Sequence, residues 1–179
     1  MTGATGRGLV LCADDFGLSA GVNAAILGLI AARRLSATSC MTTLPGWRAG
    51  APALRDLRSE AAVGLHFNLT EGAGARPLGE LMRRSLLGRI PAGEIARALE
   101  FQLDAFETGF GAAPDFVDGH QHVHAFPGVR GPLAAVLKRR YGRGGPWVRD
   151  PRPPLGGHDA LAKAGVLRLM AQGLSLIHI

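Results

Sequence analysis

The chain has 179 residues, of which 47% are hydrophobic and 19% charged, and its formal net charge is +6. This length is typical of one domain with a substantial core, and no apolar run approaches the ~18 residues that a membrane span needs. Nucleic-acid binding is not expected, because the arginines are scattered and aromatic residues, which would form stacking platforms, make up only 6%.

The first elements of the chain combine a short apolar strand with an amphipathic helix. Residues 8–13 predict a buried strand. They lead directly into acidic residues without a cleavage site, so they do not resemble a signal peptide. Ser19 can cap the helix that follows, and the predicted apolar face of this helix contains Val22, Ile26, Leu29 and Ile30.

Further strand-like and helix-like segments then alternate as far as residue 172. A loop rich in glycine is predicted over 70–79, and Pro91 suits the first turn of a long helix. The predicted strands are 36–43, 61–69, 114–120 and 146–150. The predicted helices are 46–57 (weakly), 91–108, 130–141 and 158–172. This alternation predicts a parallel α/β sheet or barrel, with about five units where a closed barrel has eight.

Two features bear on the boundaries and the cellular setting of the domain. The last six residues, LSLIHI at 174–179, follow no capping or turn pattern and match the translation of a common sequencing-library adapter. We therefore expect one incomplete domain over 1–173 and exclude His178 from the functional residues.

Cys12 and Cys40 have neither metal-ligand spacing nor a disulfide pattern, which predicts reduced thiols and a cytoplasmic protein.

Polar residues follow the ends of three predicted strands. Asp14 and Asp15 follow the first strand, and His66 and Asn68 lie at the end of the third. The fourth strand leads into Asp118, His120, His122 and His124. Because the carboxyl ends of parallel strands share one edge, these groups are expected to converge on one site.

The histidine-rich segment favours metal binding. In a strand its three histidines would share one face, and in a helical turn His120 and His124 would lie one above the other. Taken singly, the aspartate pair could instead be a capping device, and His66 a hydrogen-bonded core residue. Together, a carboxylate and two imidazoles suit Zn²⁺, with Mn²⁺, Co²⁺ or Mg²⁺ also open. The adjacent second carboxylate could act as a general base toward an activated water.

Three segments resemble the signature segments of a known family. ADDFGLSAGVNAAI at 13–26, GLHFNLTEG at 64–72 and DGHQHVHAFPGV at 118–129 are similar, in the right order, to those of the YdjC-like carbohydrate deacetylases. This family contains the chitooligosaccharide and hopanoid-biosynthesis deacetylases, and DGHQHVH is closer to the chitooligosaccharide type. The likeness extends from about residue 8 to at least 150.

The resemblance implies a fold, a reaction and a set of roles. The fold would be a distorted (β/α) barrel of the polysaccharide-deacetylase type, incomplete at the C-terminus. The reaction would be metal-dependent removal of an N-acetyl group from an amino sugar, such as an N-acetylglucosamine oligomer, by a metal-activated water. The metal, Mg²⁺ or Zn²⁺, would be held by Asp15, His66 and His120. Asp14 would be the general base, and His122 or His124 the general acid or a support for a ligand.

The remaining expectations concern substrate contacts, partners and alternatives. Asn68, Asp118 and Arg149 are expected to bind substrate, although Arg149 could instead contact Asp14 or form an ordinary salt bridge. The partners expected are a small carbohydrate and, as one option for assembly, a second copy of the chain in a homodimer. Family members continue past this length, so we expect any general acid or substrate contact in their later part to be missing. The alternative functions are a metal-dependent phosphoesterase of a His-rich barrel type, which would need more ligands, and a non-catalytic sugar-binding relative.

Overall fold

Five parallel strands connected by helices form the structure, a computed structural model that describes residues 9–152 and 161–171. The strands are β1 (Cys12–Phe16), β2 (Ala37–Cys40), β3 (Ala62–Phe67), β4 (Phe116–Gly119) and β5 (Trp147–Val148). The helices are α1 (Ala20–Ala31), α2 (Pro45–Asp56), α3 (Leu78–Leu86), α4 (Ala92–Phe110), α5 (Arg130–Tyr141) and α6 (Leu161–Met170). A 3₁₀ segment, His120–Ala125, follows β4 directly.

The strand order positions the site. The sheet runs β1-β2-β3-β4-β5, so each strand pairs in parallel with the next one along the chain. This sequential order is the one that (β/α) barrels use, in which the residues that act on ligands lie at the carboxyl ends of the strands. The predicted α/β class is therefore confirmed, and the carboxyl ends of β1, β3 and β4 lie along one edge of the sheet.

The helices form and pack as their local sequence predicts, with one exception. The Ser19 side chain accepts a hydrogen bond from the Val22 amide and caps α1. The apolar residues spaced along one face of the long helix α4 are buried, namely Ile95, Leu99, Leu103 and Phe106. The prediction that Leu29 belongs to the buried face of α1 is wrong, because its side chain is 44% exposed. Helix α1 is apolar on most sides, and its buried positions are Asn23, Ile26 and Ile30. Leu29 lies about 100° around the helix from Ile30 and so falls outside this stripe.

Three predicted boundaries need correction. Strand β1 begins at Cys12 rather than at residue 8 and continues through the aspartate pair, since ion pairs and hydrogen bonds compensate for placing carboxylates in a strand. The predicted loop 70–79 ends early, because a helix that was not predicted, α3, begins at Leu78 and continues to Leu86. Strand β4 ends at Gly119, one residue before the predicted end, where the 3₁₀ segment starts.

Two predictions fall wholly or partly on residues that the structure does not describe. Helix α6 spans Leu161–Met170, so the predicted start at 158 lies outside the described residues. The tail 174–179 lies outside them as well. Within the described ranges, no helix combines the length and the apolar character needed to cross a membrane.

Candidate metal and catalytic site

A bulge in β1 brings two neighbouring aspartates to the same cluster. Ala13 pairs with Thr38 and Phe16 with Cys40, so β1 contains one more residue than β2 over this stretch. Asp15 occupies the extra space with a φ of 68°, a left-handed conformation that is uncommon for a residue other than glycine. Adjacent strand side chains normally point to opposite faces, and a bulge changes their direction. The carboxylates of Asp14 and Asp15 can thus both approach the ring of His66.

The first group of donors consists of Asp15, His66 and His120. The Asp15 Oδ1 atom lies 3.3 Å from His66 Nε2 and 3.1 Å from His120 Nδ1. One potential ligand atom of each residue lies within 4.8 Å of the other two. The two imidazole rings are 5.4 Å apart and nearly perpendicular, at 76°. The structure therefore brings together the three residues predicted as metal ligands.

Buried partners fix the orientation of His66. Its Nδ1 atom lies 2.6 Å from Asp118 Oδ1 and 3.1 Å from the Ser39 hydroxyl. A carboxylate on the far nitrogen is the usual support of a metal-binding histidine, because it sets the tautomer and the ring orientation. Burial alone would lower the pKa of His66, but the hydrogen bonds with Asp118 and Asp15 raise this pKa to about 9. The Asp15 carboxyl is also held in its charged form, since its hydrogen bonds with His120 and His66 hold its pKa well below the usual range. The cluster thus favours positive charge at the point where the three donors meet.

Arg149 joins the two other carboxylates of the site. It follows β5, and its Nη1 atom lies 2.9 Å from Asp14 Oδ1 and 3.0 Å from Asp118 Oδ2. Asp118 is buried. Burial alone would raise the pKa of this carboxyl, but its contacts with His66 and Arg149 lower it. The structure thus contains the contact with Asp14 and also a salt bridge with Asp118, while the role of Arg149 as a substrate contact stays a prediction.

The histidine segment adopts neither of the two regular geometries considered from the sequence. Gln121 and His122 both have positive φ, 51° and 62°, so the backbone reverses inside the 3₁₀ segment. A Cβ at Gly119 would lie 2.7 Å from the Nδ1 atom of His124, so glycine is required at the start of this reversal. The result is that the three histidines have three different environments.

His124 and His122 both line the cavity, but of these two only His122 is partly exposed. The Nε2 atom of His124 lies 2.9 Å from the carbonyl oxygen of Arg149, so this nitrogen carries a proton and donates. Its Nδ1 atom is buried without a hydrogen-bond partner, and burial lowers the pKa of His124 to about 4. His124 is therefore neutral near pH 7. His122 is half-buried and lies on the cavity wall.

Asn68 organises a loop beside the site. Its Oδ1 atom accepts hydrogen bonds from the amides of Thr70 and Glu71, and its Nδ2 atom donates to the Glu71 carbonyl. The side chain of Gln102 binds the Asn68 backbone at both its N–H and its carbonyl. Asn68 lines a neighbouring cavity of about 360 Å³ rather than the one at the metal ligands. Its role as a substrate contact stays a prediction.

Three side chains in the described residues contact the site without having been predicted to do so. Ser39 contacts both Asp14 and His66, the Cys12 thiol lies 3.4 Å from Asp14 Oδ1, and Glu71 places a carboxylate oxygen 3.9 Å from His120 Nε2. The sequence does contain a signal for Ser39. It belongs to a strand that is buried at every position yet includes two hydroxyl side chains, and buried hydroxyls need partners.

The ligand residues surround an open cavity of about 210 Å³ at the carboxyl ends of the strands. Its lining residues are Asp14, Asp15, His66, Asp118, Gly119, His120, Gln121, His122, His124, Arg149 and Pro151. A volume of this size suits one small polar group together with water. Such a site can hold a divalent cation next to a second, independently fixed carboxylate.

Comparison with known proteins gives a consistent family match. The sequence model of the family described as YdjC-like protein matches residues 8–176. A chitooligosaccharide deacetylase of Enterobacter sp. (strain 638) is 35% identical over 144 residues, which cover 75% of this chain and 56% of that protein. The chitooligosaccharide deacetylase of Proteus mirabilis is 34% identical over 128 residues, covering 66% of this chain and 50% of that protein. The chain thus spans about half the length of the curated relatives it matches.

A solved structure shares the fold. The crystal structure of a protein described as a cellobiose-phosphate cleavage protein, from Enterococcus faecalis V583, superposes with a TM-score of 0.63 at 21% identity. The superposition covers 88% of this chain and 64% of that one. Together with the sequential parallel strand order, this likeness confirms the predicted α/β fold of the barrel type.

Proposed function

The chain belongs to the YdjC-like family, and we propose that it removes the N-acetyl group of an amino sugar, such as an N-acetylglucosamine oligomer, by metal-dependent hydrolysis. The observation that carries this proposal is the arrangement of Asp14 beside the Asp15, His66 and His120 set. The matched relatives named chitooligosaccharide deacetylase support the choice of substrate class.

The donor set fits one divalent ion. Two imidazole nitrogens and one carboxylate oxygen suit Zn²⁺ and also Mn²⁺ or Co²⁺, whereas Mg²⁺ prefers a set made of oxygen atoms. Asp118 supports His66 from behind at 2.6 Å, as expected for a histidine ligand. A divalent ion at Asp15, His66 and His120 would act as a Lewis acid toward the acetamide carbonyl and toward the attacking water.

The other residues supply proton transfer and orientation. Asp14 is the proposed general base, and the contacts of its Oδ1 atom with Arg149 and Ser39 fix the direction of its carboxylate. The leaving amine needs a proton, for which we propose His122, because of the two candidate histidines on the cavity wall it is the partly exposed one. The buried His124, bonded to the Arg149 carbonyl, instead keeps the Arg149 backbone in place.

The position of Arg149 favours one metal ion over two. A second group of donors in the described residues consists of Asp14, His66 and Asp118, but the guanidinium already bridges its two carboxylates. A divalent ion placed there would be repelled by the guanidinium at a distance of a few ångströms. The phosphoesterase alternative, whose sites commonly hold two or three metals, is therefore less well supported than the deacetylase. A sugar-binding protein without turnover would have no use for a carboxylate fixed beside the ligand set.

The test is release of acetate from N-acetylglucosamine oligomers in the presence of added Zn²⁺, Co²⁺, Mn²⁺ or Mg²⁺. Asp14→Asn and His66→Ala should each lower the rate by at least about 100-fold, whereas Asp104→Asn, which changes an exposed carboxylate paired with Arg140, should leave the rate unchanged. Elemental analysis should find one ion per chain. Activity that survives both site variants, or two ions per chain with phosphoester cleavage, would contradict the proposal.

A further inference from the structure

Ser39 is a buried hydroxyl placed between two functional groups of the site. It lies in β2 and is fully buried, with 0% of its surface exposed. Its Oγ atom donates a hydrogen bond to Asp14 Oδ1 at 3.1 Å and lies 3.1 Å from His66 Nδ1. The same hydroxyl therefore contacts the proposed general base and one of the proposed metal ligands.

The donors and acceptors around His66 define the direction of these hydrogen bonds. Asp118 accepts from Arg149 through Oδ2 and lies 2.6 Å from His66 Nδ1 through Oδ1. A carboxylate accepts and does not donate, so the proton of this short contact lies on His66 Nδ1. The Ser39 oxygen can then accept only as the second acceptor of a bifurcated hydrogen bond from this N–H, and the Ser39 hydroxyl donates its proton to Asp14. This arrangement leaves His66 Nε2 free to face Asp15 as a metal ligand.

We infer that Ser39 is a positioning residue that ties Asp14 to His66, holding the carboxylate of the base in one direction and helping to keep the Nδ1 proton on the ligand histidine. Its role toward Asp14 rests on the proposed function. Its role toward His66 concerns metal binding alone and can be tested without any substrate.

The neighbouring residue provides the matched control. Thr38 is also fully buried in β2, and its hydroxyl donates to the Ala13 carbonyl at 2.8 Å. This hydrogen bond supports the β1 backbone directly before Asp14 but does not contact any carboxylate or imidazole of the site. Thr38→Val removes a buried hydroxyl from the same strand with little change in shape, so it reports what the loss of a merely structural hydroxyl does.

The experiment compares Ser39→Ala, Ser39→Thr and Thr38→Val with the unmodified chain. Metal-free protein is titrated with Co²⁺ by calorimetry and by the visible absorption of the bound ion, and kcat and KM are measured with an N-acetylglucosamine oligomer. Ser39→Ala should weaken Co²⁺ binding about tenfold or more, change the absorption spectrum and lower kcat at least about tenfold, with KM within about twofold. Ser39→Thr keeps the hydroxyl and should restore affinity and kcat to within about threefold. Thr38→Val should bind Co²⁺ and turn over substrate like the unmodified chain.

Different outcomes separate the two proposals. Folded Ser39→Ala with Co²⁺ affinity, spectrum and kcat all within threefold of the unmodified chain would overturn the inference, as would equal losses in Thr38→Val. If Ser39→Ala does not fold, the comparison of Ser39→Val with Ser39→Thr takes its place, because these two side chains have nearly the same shape and only threonine has a hydroxyl. Loss of Co²⁺ affinity in a chain that releases no acetate would support the role of Ser39 toward His66 and refute the proposed deacetylation.

Discussion

Removing the guanidinium of Arg149 should destabilise the protein and open a second cation site. Arg149→Met keeps most of the aliphatic stem and removes the group that bridges Asp14 and Asp118. The two carboxylates then lose their shared counter-charge, and Asp118, which is buried, retains only its contact with His66. We therefore expect a less stable metal-free protein that can bind two divalent ions, one more than we propose for the unmodified chain.

The size of the expected loss of stability follows from how exposed the side chains of the two ion pairs are. The side chains of Arg149 and Asp14 are 41% and 38% exposed, so this ion pair contributes only about 0.2–1 kcal/mol to the free energy of unfolding. In the pair with Asp118, the aspartate side chain is only 3% exposed. Loss of a hydrogen bond to a buried charged group costs about 1.5–3 kcal/mol of stability. The cost here is smaller, because Arg149 is itself partly solvated. Together the free energy of unfolding should fall by about 1–3 kcal/mol near neutral pH.

The pH dependence of this difference has a defined sign. Because the folded-state pKa of Asp118 is lowered, its contribution to stability is present above the ordinary carboxyl pKa of about 4 and is lost as the pH falls. The difference between Arg149→Met and the unmodified chain should therefore be full near pH 6 and shrink below about pH 4.

Denaturation by guanidinium chloride, followed by circular dichroism, measures the stability, and elemental analysis after dialysis measures the metal content. Arg152→Met is the matched control, because Arg152 pairs with Asp150 outside the ligand set and should change neither quantity. One ion per chain in Arg149→Met, together with a stability equal to that of Arg152→Met, would refute the reasoning.

Three further predictions concern pH, packing and metal removal. The pKa of His124 is lowered to about 4 by burial, so the unfolded chain binds protons more readily, and the free energy of unfolding should fall by up to about 3 kcal/mol between pH 6.5 and pH 4. His124→Gln should flatten this slope in urea denaturation, and an unchanged slope would contradict the assignment. Gly64→Ala would place a Cβ 2.5 Å from the buried ring of Phe116 and should cost about 1–3 kcal/mol. By contrast, a Cβ at Gly28 would have nothing within 4 Å, so Gly28→Ala should stabilise α1 by about 0.5–1 kcal/mol. A Tm of Gly64→Ala equal to or above that of Gly28→Ala in thermal unfolding would refute this packing. Chelation of metal supplied at 100 times its Kd should lower the free energy of unfolding by about 2.7 kcal/mol, a difference that should vanish in His66→Ala.

Local sequence patterns specify most of the helices and strands and the edge of the sheet on which the site lies. Hydrophobic periodicity, the Ser19 cap and Pro91 marked α1 and α4 to within a few residues, because these signals act between residues that are close along the chain. Alternation of strands and helices then predicted a parallel sheet. In such a sheet the carboxyl ends of the strands meet, so the predicted convergence of Asp15, His66 and His120 followed without knowledge of any distance.

The arrangement of the side chains in the site depends on contacts between distant parts of the chain. The extra residue in β1 that re-aims Asp15 is a matter of register with β2, and no local pattern within 12–16 specifies it. The left-handed backbone at Gln121 and His122, which gives the three histidines different environments, contradicts both regular geometries that the spacing allowed. The contacts of Ser39 and Arg149 join four different strands. Residues this far apart along the chain share no periodicity, so their contacts are set by strand pairing and packing, which local sequence patterns do not encode.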